Sequence, residues 1–292
     1  MPVPACEALW PPPLSAPLLV AMLTGFAHQR LPVMVRNLQW LPSASRAACL
    51  VLSHSQPERG DEQLLGPLQA RCSVCVSEGT SLVGVLKMAA SVVYRHAAGA
   101  FFLNDDIELS FDLALLIAKA QAFQLDSASP AIGGTWKSMG AHELAAGEEG
   151  RLVRFLEMGA QWFSVEMWGC FAELLEPEIN GGGYGTDVWL FDWCSTRLER
   201  SVRMGIFDTL LARQLPLPRH LEAHKDKRSN HTRFEQMMVQ SNTWKRRGHF
   251  LTISQHANED PPPLGLLRRG QELRWEKTWL WRSDSRSARA SV

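Results

Sequence analysis

Between residues 17 and 123 the chain alternates short, uninterrupted apolar runs with longer segments of helical period, and few folds accommodate that order. "PLLVAMLTG" (17–25), "AACLVLSHS" (47–55) and "GAFFL" (99–103) are continuous rather than alternating, the pattern of strands buried on both faces. "ARCSVCVS" (70–77) is a weaker member of the series. Between them, "LPVMVRNLQWL" (31–41) spaces Val33, Val35, Leu38 and Leu41 for a helix, with Pro32 suited to its first turn. "SLVGVLKMAASVVYRHA" (81–97) and "FDLALLIAKAQAF" (111–123) continue the alternation as helices. Strand–helix alternation with right-handed crossovers predicts an α/β fold: a mixed, mostly parallel sheet flanked by helices.

That order gives the stretch "LNDDIEL" (103–109) its interest. Asn104, Asp105 and Asp106 follow Phe101-Phe102-Leu103 without a spacer, at the carboxyl end of a predicted strand. In open α/β sheets ligands bind outside that end. A cluster of hard oxygen donors there suits Mg²⁺ or Mn²⁺, which keep some waters and take further ligands from substrate phosphates. The plain structural alternative is a turn, or a cap for the helix that follows.

Composition narrows the class further. The chain has 292 residues, 46% hydrophobic and 21% charged, which fits a globular protein with a large core. Net charge is zero but uneven: residues 1–200 carry 13 basic and 21 acidic side chains (net −8), residues 201–292 carry 17 and 9 (net +8). Six cysteines in a chain this long do not predict a disulfide framework. Cys72 and Cys75 have CxxC spacing, but no second pair follows, and residues three apart on a strand face opposite ways. The apolar stretch Leu18–Leu23 is far short of the ~20 residues of a membrane span, and no basic leader precedes it. A cytoplasmic, reducing compartment is the default expectation, with the Golgi lumen as the alternative if the amino terminus is incomplete.

Further along, "FLEMGAQWFSVEMWGCFAELLEP" (155–177) reads as a strand running into a helix, and "NGGGYGTDVWLFDWC" (180–194) as a glycine loop that opens a helix at Asp187. The loop is no phosphate-cradling P-loop, since no Gly-Lys-Ser/Thr follows. Taken together, the apolar strand, "LNDDIEL", a Glu-containing strand, an aromatic helix and "GYGTD" resemble a GT-A (Rossmann-like) glycosyltransferase. The likeness is closest to a GT-A-like family known as a domain of unknown function. That family shows an aspartate-rich motif after a strand, a "VE"-type strand followed by a helix with an aromatic residue, and "GWG-x-D". The matching residues are Asn104-Asp105-Asp106, Glu157, Trp168 and Tyr184-Gly185-Thr186-Asp187.

The resemblance covers 17 to about 216 and implies transfer of a sugar from a nucleotide-diphosphate donor to a glycan or other hydroxyl acceptor, with Mn²⁺ or Mg²⁺ as cofactor. It implies Asp106 as metal ligand and Asn104 and Asp105 beside the donor's ribose and diphosphate. Thr24 and Arg30 match the segment near the donor base. Glu157, Trp168, Tyr184 and Gly185 match the acceptor side, and Asp187 the acceptor's anchor or general base. Two positions depart from the pattern: Asn104 is an amide where the first carboxylate stands, and Gln214 falls where a metal-binding His would, downstream of Asp208. A Gln ligates a hard cation through its carbonyl oxygen.

Each residue also has a structural reading. Glu157 could satisfy backbone amides at the sheet edge, Trp168 could belong to the core, Asp187 could cap its helix, and Lys87 could be a solvated helix lysine rather than a phosphate contact. Two other functions compete: a catalytically inactive GT-A-like module that binds a glycan or partner, and a nucleotidyltransferase, which normally carries a glycine-rich basic loop that "TGFAHQRLP" lacks. The expected organisation is an extension (1–16), a GT-A-like domain (17–216) and a basic appendage (217–292) in which "NEDPPPLGLLRRG" is a connector. Neither nucleic acid nor a membrane span is expected as a partner.

Overall fold

The fold follows from a computed structural model, in which the described residues are 5–6, 16–24, 30–57, 61–96, 99–134, 139–175, 186–216 and 265–268. The first apolar run becomes β1 (Leu18–Thr24), buried at every position. It lies between β2 (Ala47–Ser53) and β4 (Gly99–Asn104), both parallel to it, and β3 (Ser73–Val76) pairs parallel with β2. Continuous burial is what parallel strands covered on both faces require. The covering helices include α1 (Leu31–Asn37, continued by a 3₁₀ turn at Leu38–Trp40), α2 (Glu62–Arg71) and α3 (Leu82–His96). α2 has Pro67 inside it and a weak periodic signal, and sequence reading passes over it.

Beyond β4 the sheet turns mixed. β8 (Ala160–Ser164) runs antiparallel to β4 and to β6 (Ser127–Gly133), and β6 pairs parallel with the long β9 (Met204–Gln214). β7 (Glu148–Val153) is antiparallel to β9, and the short β5 (Ile107–Leu109) pairs antiparallel with the last residues of β9. Among the described residues, with Gly265–Arg268 as β10, the ten-stranded order is β10-β7-β9-β6-β8-β4-β1-β2-β3, with β5 off this path. The helices α4 (Leu113–Ala122), α5 (Val165–Leu174) and α6 (Thr186–Arg197) complete the covering layers. The expected mixed sheet flanked by helices is the architecture found.

Several placements differ from what the residues suggested. All six cysteines are paired: Cys6–Cys75, Cys49–Cys72 and Cys170–Cys194. Cys72, which stands just before β3 rather than on it, pairs with Cys49 of β2, and Cys75 of β3 pairs with Cys6. Residues set apart as terminal appendages also reach the sheet. Ala5 bridges Val76, and Gly265–Arg268 forms β10 against β7 with Leu267 fully buried. Four residues, too short a run to register as a strand by period, suffice once an edge partner is present. No described helix is long and apolar enough to cross a membrane.

Candidate functional site

β1 and β4 end side by side, with Leu23 opposite Asn104. That register carries Thr24 to the turn after β4, where its hydroxyl donates to Asp105 Oδ2 at 2.8 Å. The next carboxylate is held from the other side. Ile107 pairs with Gln214, so the end of β9 arrives beside Asp106, and the Gln214 amide Nε2 donates to Asp106 Oδ2 at 2.9 Å. The Leu215 amide donates to the Asp106 carbonyl at 2.8 Å. Asp106 is buried, and its Oδ1 is enclosed without a hydrogen-bond partner. Gly134, at φ +93°, passes directly over this strand end; a Cβ there would lie 2.9 Å from the Gln214 carbonyl.

The remaining predicted donor-side residues gather at the same edge. Arg30 is buried at the start of α1 and donates to the Pro216 carbonyl at 3.4 Å. Asn104 is occupied structurally: its backbone amide donates to the Gly159 carbonyl and its side-chain amide to the Met158 carbonyl, both at 2.8 Å. These two bonds tie the residues just after Glu157 to the end of β4; Glu157 itself lies in the loop before β8 rather than in a strand. The carboxylates do not cap the following helix, because Asp112 does so by accepting from the Ala114 amide at 2.8 Å.

Not every expected residue converges. Trp168 is fully buried in α5, its ring packed on Phe163 and Phe171 at 5.1 and 5.5 Å between centroids. No ring face is left for a sugar, so the expectation of an acceptor platform gives way to core packing. Lys87 donates to the Leu175 carbonyl at 2.8 Å, a helix-to-helix bond rather than a phosphate contact. Asp187 is the second residue of α6 and half-buried; it is within the first turn, not the cap position before it. Tyr184 and Gly185 lie outside the described residues.

One contributor escapes sequence reading. Asn37, fully buried, donates to the Ile107 carbonyl at 2.7 Å and accepts from the Leu109 amide at 2.9 Å. It thus pairs β5 as a neighbouring strand would. The signal was a lone amide ending an apolar helix, which only becomes meaningful once β5 is seen beside it. An apolar hollow of about 300 Å³ at the opposite, amino edge, near Pro17, Gly99 and Trp162, has no carboxylate in its lining.

The donor set can be tested against a divalent cation. Among the described residues no group of three or more His, Cys, Asp or Glu side chains could hold one. Mg²⁺ sites, however, are commonly built from one or two carboxylates completed by waters and substrate phosphates. A buried carboxylate oxygen without a partner, on Asp106, beside the amide of Gln214 and the carboxylate of Asp105, is compatible with that kind of half-site.

The fold is of the GT-A type, a mixed, mostly parallel α/β sheet flanked by helices. Among solved structures, the chain is similar to the crystal structure of GalNAc-T7 with UDP, GalNAc and Mn²⁺ (TM-score 0.56, 12% identity, 77% of this chain and 49% of that one). It is also matched to the crystal structure of S. aureus TarS 1–349 (TM-score 0.47, 9% identity, 82% and 76%). The chain spans about half the length of the GalNAc-T7 chain, and at this identity the likeness is one of fold alone. No family model and no curated protein matches the sequence.

Proposed function

We propose that the chain is a glycosyltransferase that moves a sugar from a nucleotide-diphosphate donor to a hydroxyl acceptor. The observation that carries this reading is the Asp105–Asp106 pair at the carboxyl edge, held by Thr24 and Gln214 with one Asp106 oxygen left without a partner. A buried anion in that state is costly unless something cationic completes it. Asp106 would hold Mn²⁺ or Mg²⁺, aided by the Gln214 carbonyl after rotation of its amide and by Asp105. The bound cation would neutralise negative charge on the departing diphosphate. Thr24 and Arg30 would flank the donor's base, with Asn104 and Asp105 beside ribose and diphosphate. Glu157, Tyr184 and Gly185 would face the acceptor, and Asp187 would anchor or deprotonate its hydroxyl. The three disulfides fit an oxidising compartment, lumenal or extracellular, better than the cytoplasm. The domain division at 216 is kept as part of this proposal, with 265–268 lending the sheet an edge strand.

A second reading has its own support. Gln214 replaces a metal-binding His and already satisfies Asp106 Oδ2, as a binding module without catalysis would allow. Calorimetry with UDP in the presence and absence of Mn²⁺ separates the two. The enzyme reading expects metal-dependent UDP binding that Asp106→Ala abolishes without unfolding the chain, and that Gln214→His tightens. Wild-type protein that binds no UDP at millimolar Mn²⁺ would favour the module.

A further inference from the structure

Away from the carboxylate edge, one buried ion pair is left unexplained by the reading above. Pro130 of β6 pairs with Phe207, but Ala131 pairs with Leu211, so Asp208, Thr209 and Leu210 bulge out of β9. The bulge lies level with the carboxyl end of β4. Ala160 of β8 faces Leu103 at the end of β4, and Trp162, two residues along β8, pairs with Ala128, two residues before Pro130. From the bulge Asp208 meets Arg151 of β7 at 3.3 Å, with side-chain exposures of only 1% and 3%. β7 and β9 approach closely beside it: a Cβ on Gly150 would lie 2.0 Å from the Ile206 carbonyl, so only glycine fits.

Both charges are spent on one short piece of chain. Arg151 donates to the Gly140 carbonyl at 2.6 Å, and the His142 amide donates to Asp208 Oδ1 at 3.1 Å. The same piece carries Met139, fully buried, whose sulfur accepts from the Glu157 amide at 3.5 Å. Glu157 is therefore braced on one side by Met139 and, through its neighbours Met158 and Gly159, on the other by Asn104. Stability alone is a poor reason for such a pair. Apolar residues of similar volume are often as stable as a buried ion pair, and Asp208 Oδ2 is enclosed here without a partner.

We propose that the Arg151–Asp208 couple is a positioning device: it clamps residues 139–142 so that Met139 holds Glu157 in place at the end of β4, where Asn104 anchors the residues that follow it. That this segment is the acceptor side rests on the glycosyltransferase reading; the clamp itself does not. The bonds of the couple run to Gly140 and His142, so the couple would set Glu157 rather than the donor half.

Hydrogen–deuterium exchange on the full chain tests this. Asp208→Asn, and the double variant Arg151→Met/Asp208→Leu as a better-folding partner, should speed exchange of the 139–142 and 157–159 amides about ten- to a hundredfold, the scale of losing charged hydrogen bonds. β1 amides should keep their protection. Arg200→Gln, which severs the bidentate Arg200–Asp126 pair at the amino edge, serves as a control of comparable disruption. Wild-type protection at 157–159 in both variants, or a loss shared equally by β1, overturns the proposal. UDP with Mn²⁺ is titrated against the same proteins. Equal UDP affinity in wild type and variants is expected, and a UDP affinity that falls with the clamp counts against a device confined to Glu157. Failure of wild type itself to bind UDP refutes the glycosyltransferase reading, while the exchange result decides the clamp either way.

Discussion

Asp187 stands in the first turn of α6, where a carboxylate meets the positive end of the helix dipole. A dipole partner and a general base make different demands on that side chain. Asp187→Asn keeps the shape and loses the charge, which should lower stability by about 0.3–1 kcal/mol. If the carboxylate takes the acceptor's proton, the amide cannot, and turnover should fall about 10²–10⁴-fold. Melting temperature and sugar transfer measured together distinguish the roles; transfer retained in the Asn variant would remove Asp187 from the chemistry. Asp208 makes a second prediction at this scale. Burial pushes its carboxyl above the usual range, while the His142 amide bond and the Arg151 charge pull it down without cancelling the effect. A raised pKa in the folded chain means that folding favours the protonated form. The associated stability is therefore full below the ordinary carboxylate range and is lost as pH rises through the raised value. Measured by urea denaturation, wild type should lose stability relative to Asp208→Asn as pH rises from about 4 toward neutrality. A difference independent of pH would mean that Asp208 is not the titrating group.

β5 shows how little of an element needs to be regular for it to matter. Three residues long, it is paired on one side by the end of β9 and on the other by a single side chain, Asn37 of α1. Its neighbour in sequence is Asp106, so the strand's anchorage bears on the site. Asn37→Leu keeps the volume but strands a buried carbonyl on Ile107 and a buried amide on Leu109. The expected cost is about 2–4 kcal/mol from two orphaned groups, read by chemical denaturation, with weaker Mn²⁺-dependent UDP binding alongside. Unaltered stability would show that β9 alone suffices to hold β5. The strands β1, β2 and β4 and the helices α1, α3 and α4 were legible in the sequence, because continuous apolar runs and helical period are local signals. β5, β10 and α2 were not. A three- or four-residue strand has no period to detect, and α2 combines an internal proline with a poorly segregated apolar face.

At the scale of the whole molecule, three covalent links tie the layers. Cys49–Cys72 joins β2 to the end of α2, Cys170–Cys194 joins α5 to α6, and Cys6–Cys75 ties the chain's start to β3. By loop-closure entropy each should contribute about 3–4 kcal/mol, the 69-residue loop the most. Peptide mapping under non-reducing conditions should recover these three pairs, and reduction should lower the melting temperature markedly. Six titratable thiols in the native, unreduced protein would refute the pairing and return the protein to a reducing compartment.

Sequence alone determined that an α/β sheet forms and that Asn104, Asp105 and Asp106 surface at its carboxyl edge, since both follow from residues adjacent in the chain. It also placed Thr24, Arg30 and Gln214 at the same edge, but by resemblance rather than by any physical signal. What only the tertiary structure decided are the contacts across long separations: Thr24 with Asp105, Gln214 with Asp106 across 108 residues, the cysteine pairing, and the Arg151–Asp208 couple behind Glu157. These depend on how distant strands and helices dock, and the place of Asp208 depends also on a bulge in β9. Register is set by how distant strands dock, so no single segment carries its trace.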